Sequence, residues 1–357
     1  MKRPINICSG QFGDLTLEEL CKTMHEIGYN GIEIATQAHL DVRRVLTDAA
    51  YRDQIDETLN KYDMHIGAIS AHLIGQCVGD NWDPRLDNFA PAHCKGNPEA
   101  IRAWAIEEMK NVAYAAKLLN VKVVTCFLGS PIWAMWYSFP QTTPEMVEAG
   151  FQKIKELWTP IFDIYDECGV KLALEVHPTE IAFDYYSTKR LLETLDYRPT
   201  LGLNFDPSHL LWQGVDPQTF LHDFADRIYH VHLKDVKLRQ DGRAGILGSH
   251  IEFGDTRRGW NFVSLGHGDV DFDGIIRELN QMGYHGPLCV EWEDSGMERI
   301  FGATEAFEYA SQINFEPSTF SFDSALKRDL AIPCTRLKAA VPAKGRRPLR
   351  GGLLDFA

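Results

Sequence analysis

The chain has 357 residues, of which 45% are hydrophobic and 24% charged, with a formal net charge of −14. That length suits one large α/β domain or two ordinary ones, and so acidic a surface argues against non-specific nucleic-acid binding. No apolar run reaches the ~18 residues of a membrane span, and the start, MKRPINICSGQFGDL, lacks a signal-peptide core. The eight cysteines show no C-x-x-C spacing, and Cys8, Cys126 and Cys289 lie inside apolar runs, which fits a reduced, cytosolic protein.

Short apolar runs alternate with helical patterns along most of the chain. INICS (5–9) precedes a helix over 16–28, where Thr16 and Glu19 form a capping-box pattern. GIEIAT (31–36) is followed by a helix over 48–62, and HIGAISAH (65–72) by a long loop and a helix begun at Asn97-Pro98. VKVVTCFLG (121–129) leads to a helix begun at Thr143-Pro144, and VKLALEVHP (170–178) to a helix over 187–195. TLGLNFDPSH (200–209) precedes a helix begun at Asp216-Pro217, and RIYHVHLKD (227–235) a long irregular insertion. A helix over 271–282, the strand PLCVEWED (287–294) and a helix over 303–313 complete the series. A cap residue followed by proline at the first helical position is a strong start signal.

Strands alternating with helices imply a parallel sheet. Eight such units in residues 1–315 predict a single-domain (β/α)8 TIM barrel. A doubly wound sheet is the alternative, but no G-x-G-x-x-G or P-loop follows the first strand. Residues 316–357, including KGRRPLRGG, form a basic extension without periodicity. It reads as a mobile tail or as an arm on a neighbouring subunit of a homo-oligomer.

Side chains alternate between the two faces of a strand. With the aliphatic residues turned towards the helices, the inward set is Glu33, Ser70, His72, Glu175, His177, Asn204, Asp206, His230, His232, Lys234, Glu291 and Glu293. Most lie near C-terminal strand ends, where barrel enzymes place their chemistry. Carboxylates converging on one end repel one another, and a divalent cation is the natural remedy. Glu175, Asp206, His232 and Glu291, one from each of the last four strands, supply three carboxylates and an imidazole. That donor set predicts one Mn2+, with Mg2+, Co2+ or Zn2+ as alternatives. His230, one pleat deeper, reads as a support and not a ligand. Taken singly, each such residue could be a hydrogen-bonded core group or half of a surface ion pair. Trp133, Trp136 and Tyr137, after the fourth strand, suit stacking on a sugar ring or a lid, and His72 could bond a substrate hydroxyl.

LALEVHP, NFDPSHL, HVHLKDVK and GHGDVDFDGIIRELNQMGYHGPLCVEWED, with EEL…IGYNGIEI near the start, resemble the xylose isomerase-like TIM-barrel superfamily over residues 3–315. The branch resembled is that of sugar phosphate isomerases and epimerases, with ketose 3-epimerases, hydroxypyruvate isomerase and inosose dehydratase; HVHLKDVK is nearest the inosose dehydratase type. Endonuclease IV shares the fold, but an acidic chain with one four-ligand set does not fit it. The resemblance implies that Glu175, Asp206, His232 and Glu291 bind the metal and that Glu175 and Glu291 exchange protons with substrate. It also implies that His209 bonds a substrate hydroxyl and that His177 and Lys234 contact substrate. Arg257 is assigned as the substrate arginine within the insertion at 238–265.

The expected function is a metal-dependent sugar isomerase or epimerase, acting by proton abstraction next to a carbonyl of a non-phosphorylated keto-sugar or polyol-derived ketone. A dehydratase or lyase of the inosose dehydratase or 3-keto-glycoside type shares the first half of that reaction. A non-catalytic sugar-binding barrel is the third possibility. No nucleic acid or membrane partner is expected.

Overall fold

The structure, a computed structural model, describes residues 2–320 and 323. Residues up to Glu316 form one compact unit. The assignment of 316–357 as a basic extension falls almost wholly outside the described residues.

Eight parallel strands close into a barrel: β1 (Ile5–Cys8), β2 (Gly31–Ala35), β3 (His65–Ser70), β4 (Val123–Cys126), β5 (Lys171–Glu175), β6 (Leu201–Phe205), β7 (Ile228–Leu233) and β10 (Leu288–Val290). They follow one another in chain order around the barrel, and β10 closes it against β1. Eight strands leave an interior that side chains fill, so the inward residues form a packed core with chemistry at one end. The outward aliphatics Leu172, Leu174, Leu201, Leu203, Val231 and Leu233 are all buried beneath the helices.

The helices are α1 (Leu17–Ile27), α2 (Val42–Thr47), α3 (Ala49–Lys61), α4 (His72–Gly79), α5 (Pro98–Leu118), α6 (Pro144–Cys168), α7 (Tyr185–Thr194), α8 (Pro207–Leu211), α9 (Pro217–Asp223), α10 (Phe272–Gln281) and α11 (Arg299–Ile313). The sequence signals act as written. Thr16 accepts from the Glu19 amide and Glu19 from the Thr16 amide. Asn97, Thr143 and Asp216 cap helices that begin on proline.

Three features depart from the sequence reading. His72 is the first residue of α4 and not the end of a strand. Gly75 permits this, because a Cβ there would lie 2.0 Å from the Phe127 carbonyl oxygen. Asp206 caps the short helix α8, with the Ser208 amide donating to Oδ1 at 2.8 Å. Finally, the insertion after β7 contains an antiparallel hairpin, β8 (Asp235–Leu238) and β9 (Trp260–Val263). Aromatic contacts hold it down: Trp260 stacks on Trp212 with ring centroids 4.3 Å apart, and Phe262 packs on His209 at 5.2 Å. Among the described residues no disulfide forms, and all the described cysteines are free.

Candidate metal and active centre

Strand register brings the inward polar residues level. Glu175 pairs with Asn204, Asn204 with His230, and His232 with Cys289. At the C-terminal end of the barrel, Glu175, Asp206, His232 and Glu291 each present one ligand atom, all within 4.8 Å of one another. His232 Nδ1 lies 3.2 Å from Glu175 Oε2 and 3.0 Å from Glu291 Oε2. Its other nitrogen, Nε2, lies 2.9 Å from Glu33 Oε2, which also meets His230 Nε2 at 2.8 Å. An N–H donated to a buried carboxylate fixes the ring so that the opposite nitrogen faces the cluster.

The donor set fits a divalent cation. Asp206 Oδ2 and Glu291 Oε2 are buried without a hydrogen bond. Glu291 Oε2 is close to His232 Nδ1 and 3.3 Å from Lys234 Nζ, but as ion contacts without hydrogen-bond direction. Leaving such an oxygen unsatisfied costs about 1–3 kcal/mol or more. Burial raises Asp206 to about 6, and His209 and Lys234 offset this only in part. Burial alone would lower His232, yet Glu33, Glu291 and Glu175 outweigh it and raise the imidazole well above its ordinary value. The site therefore demands positive charge at the place a cation would fill.

A second group of potential ligands, Glu33, His230, His232 and Cys289, lies deeper. Burial, and then Glu33, push the Cys289 thiol well up, so it is not poised as a thiolate. Here Glu33 is already satisfied by two imidazoles and by the Thr125 hydroxyl, which donates to Oε1 at 2.6 Å. The deeper group supports the upper one. Sequence reasoning placed Glu33 inward without giving it a role; its signal was a lone carboxylate between Ile32 and Ile34 in a strand buried on both faces.

The two glutamates differ. Glu175 Oε2 accepts from Asn204 Nδ2 at 2.9 Å and lies 3.1 Å from His72 Nε2, while Oε1 is 3.3 Å from His209 Nε2. With the Ser70 hydroxyl donating to His72 Nδ1 at 2.7 Å, His72 Nε2–H points at Glu175. Burial would raise Glu175, but His232 and these contacts hold it well below the carboxylate range. Glu291 receives only a long bond from Gln11 Nε2, 3.3 Å to Oε1, and is partly exposed. Lys234 is buried with Nζ 3.3 Å from Glu291, 3.1 Å from Glu293 and 4.4 Å from the Phe262 ring centroid. Burial would lower its ammonium, but Glu291 and Glu293 hold it well above its ordinary value. Opposite burial, Lys234 and His232 keep Glu291 down at about 2.

His177 packs on His209 with ring centroids 4.1 Å apart and directs Nδ1 to the Pro178 carbonyl. Burial and His209 lower it to about 3, so the ring is neutral. It lines a cavity of about 480 Å3, together with Phe127 and Trp133. Asp235 turns away and accepts from the amides of Gly266, Gly268 and Val270, anchoring the loop after the hairpin. His72, His177, His209 and Lys234 thus surround the cluster, and Trp133 stands at the cavity wall. Arg257 does not join them. It is exposed and paired with Asp255 at 2.6 Å, because a carboxylate two residues away captures the guanidinium within its own turn.

Among known proteins, the chain is 25% identical to the uncharacterised YfiH of Bacillus subtilis over 332 residues, 86% of this chain and 98% of that one. It is 33% identical to inosose dehydratase of Geobacillus kaustophilus over 163 residues, spanning 43% of this chain and about half (51%) of the relative. The probable 3-DHS dehydratase AsbF of Bacillus anthracis superposes with a TM-score of 0.61 at 19% identity, over 87% of this chain and 99% of that one. Residues 21–313 match the family description outright. With the closed eight-stranded barrel, that match places the chain in the xylose isomerase-like TIM barrel family.

Proposed function

We propose that the protein is a divalent-metal-dependent carbon–oxygen lyase acting on an uncharged ketone derived from a sugar or polyol. The observation that carries this reading is the buried contact of Lys234 Nζ with Glu291, 3.3 Å. A cation held by Glu175, Asp206, His232 and Glu291 would polarise the substrate carbonyl and acidify the adjacent C–H. Glu291, the less hydrogen-bonded glutamate, accepts that proton. Lys234 donates one to the β-oxygen as its bond to carbon breaks. The pair begins as carboxylate and ammonium and ends as acid and amine, so its net charge is zero throughout. That suits a buried site, where an unpaired charge is costly. Glu175, enclosed by Asn204, His72 and His209, holds position and exchanges protons poorly. His209 and His177 line the space for substrate hydroxyls. The similarity to inosose dehydratase over 163 residues agrees with this reading.

A second reading is isomerisation or epimerisation. It is favoured by the presence of two glutamates in the cluster, either side of His232 at 3.2 and 3.0 Å. Incubation of inososes and keto-sugars with the enzyme in D2O separates the two. Elimination gives a product lighter by one water, and epimerisation gives a deuterated isomer. Under the lyase reading, E291Q loses both deuterium exchange and elimination. K234M keeps exchange but slows elimination by roughly 10²–10⁴-fold. Elimination by K234M at the wild-type rate would overturn the assignment.

A further inference from the structure

The loop after β4 exposes aromatic residues that the metal centre does not use. Every residue from 131 to 144 is at least partly exposed, and none is charged. That is unusual for surface in a chain that is 24% charged. The loop instead presents Trp136, Tyr137 and Phe139, which are 50%, 64% and 70% exposed. Trp136 and Tyr137 pack together with ring centroids 5.6 Å apart. A cleft of about 330 Å3 joins this loop to the starts of α6 and α7, and Trp136, Val147 and Tyr186 all line it. Tyr186 is 78% exposed, and Met146, next to Val147, is also exposed.

Aromatic side chains of about 150–250 Å2, exposed at these fractions, leave about 500 Å2 of ring surface in water. The largest apolar patch on a typical monomer is ~300–600 Å2 and is often functional. A standard interface takes about 800 Å2 from each partner, so these rings supply more than half of one side. Trp, Tyr, Phe and Met without charge are also the composition of an interface core.

Charge points to the partner. Two copies at −14 repel each other through most of their surface. This uncharged loop is a place where they can meet without opposing carboxylates. A foreign partner of opposite charge would be held by the acidic faces and not by this one. Charged groups that border the cleft are engaged within the chain: Arg190 pairs with Glu148 at 2.8 Å, and Asp184 caps α7. Phe139 lies outside the lining of its own cleft, so its ring is available to a neighbour's. A two-fold axis makes such a contact reciprocal and closed.

We propose that two copies of this chain dock through the loop after β4 and the start of α7, each placing Phe139 in the cleft lined by Trp136 and Tyr186 of the other. The interface holds whatever reaction the metal centre performs.

The test is sedimentation velocity of the full chain at ~50 μM, since interfaces of standard size hold at μM or tighter. The wild type should sediment as a dimer. F139D and Y186D, on separate elements, should each weaken dimerisation more than about tenfold. Both rings are mostly exposed, so neither substitution enters the barrel core, and circular dichroism checks the fold. A monomeric wild type overturns the proposal. So does a dimer that survives either substitution at the wild-type affinity, because another face would then hold it.

Discussion

Glu33→Gln tests whether the deep carboxylate organises the centre above it. Glu33 touches no substrate space; it is fully buried and bridges His230 and His232 at 2.8 and 2.9 Å. The substituted amide must present one carbonyl and one NH2 where the carboxylate presents two acceptors. With its carbonyl towards the histidines, the contact becomes neutral and loses the charge-assisted strength. With its NH2 towards them, two donors collide unless His232 moves its proton to Nδ1, the nitrogen that faces Glu175 and Glu291. Either outcome weakens a cation at the cluster. Loss of such a supporting carboxylate costs about 10–100-fold in metal affinity, or about 1.4–2.7 kcal/mol. Competition of the purified protein against a fluorescent chelator for Mn2+ or Zn2+ measures this without any substrate. An E33Q affinity within twofold of wild type, with the fold intact by circular dichroism, would refute the argument.

Chelation should abolish turnover, and Mn2+ at 100 times its Kd should restore it while stabilising the fold by about 2.7 kcal/mol; a D206N variant should lose that thermal shift in calorimetry. Asp80, which accepts from Ser130 N, is raised by burial to about 6 from 3.8. The folded state therefore holds the extra proton between those values, and this contribution is full below pH 3.8 and lost as pH rises through 6. D80N should flatten the fall in stability across that window, by on the order of 2 kcal/mol at most, read from urea midpoints at pH 4 and 7. A Cβ on Gly75 would meet the Phe127 carbonyl at 2.0 Å, so G75A should destabilise by about 1–3 kcal/mol and disturb the Phe127 ring that packs on His72 and His177. R257A should leave kcat/KM within twofold, since Arg257 is exposed and paired in its own turn.

Local patterning determined a great deal by itself. Alternating aliphatic and polar residues in LALEV, IYHVHL and LCVEW give each strand its phase, because a strand side chain can face only one of two ways. That phase turns Glu175, Asp206, His232 and Glu291 inward, their donor types single them out within the inward set, and Asn97-Pro98, Thr143-Pro144 and Asp216-Pro217 mark helix starts through contacts three residues long. Contacts across the barrel were decided by tertiary structure. Glu33 meets His230 across 197 residues, and Lys234 lies against Glu291 across the pairing of β7 with β10, strands separated in the chain by the hairpin and α10. The insertion at 238–265 carried a basic residue of suitable type, but whether Arg257 or the ring of Phe262 reached the site depended on how the hairpin folded back. Phase is a property of neighbours along the chain. Which of two chemically similar carboxylates is enclosed by donors and which is left free depends on the residues that other strands bring beside it.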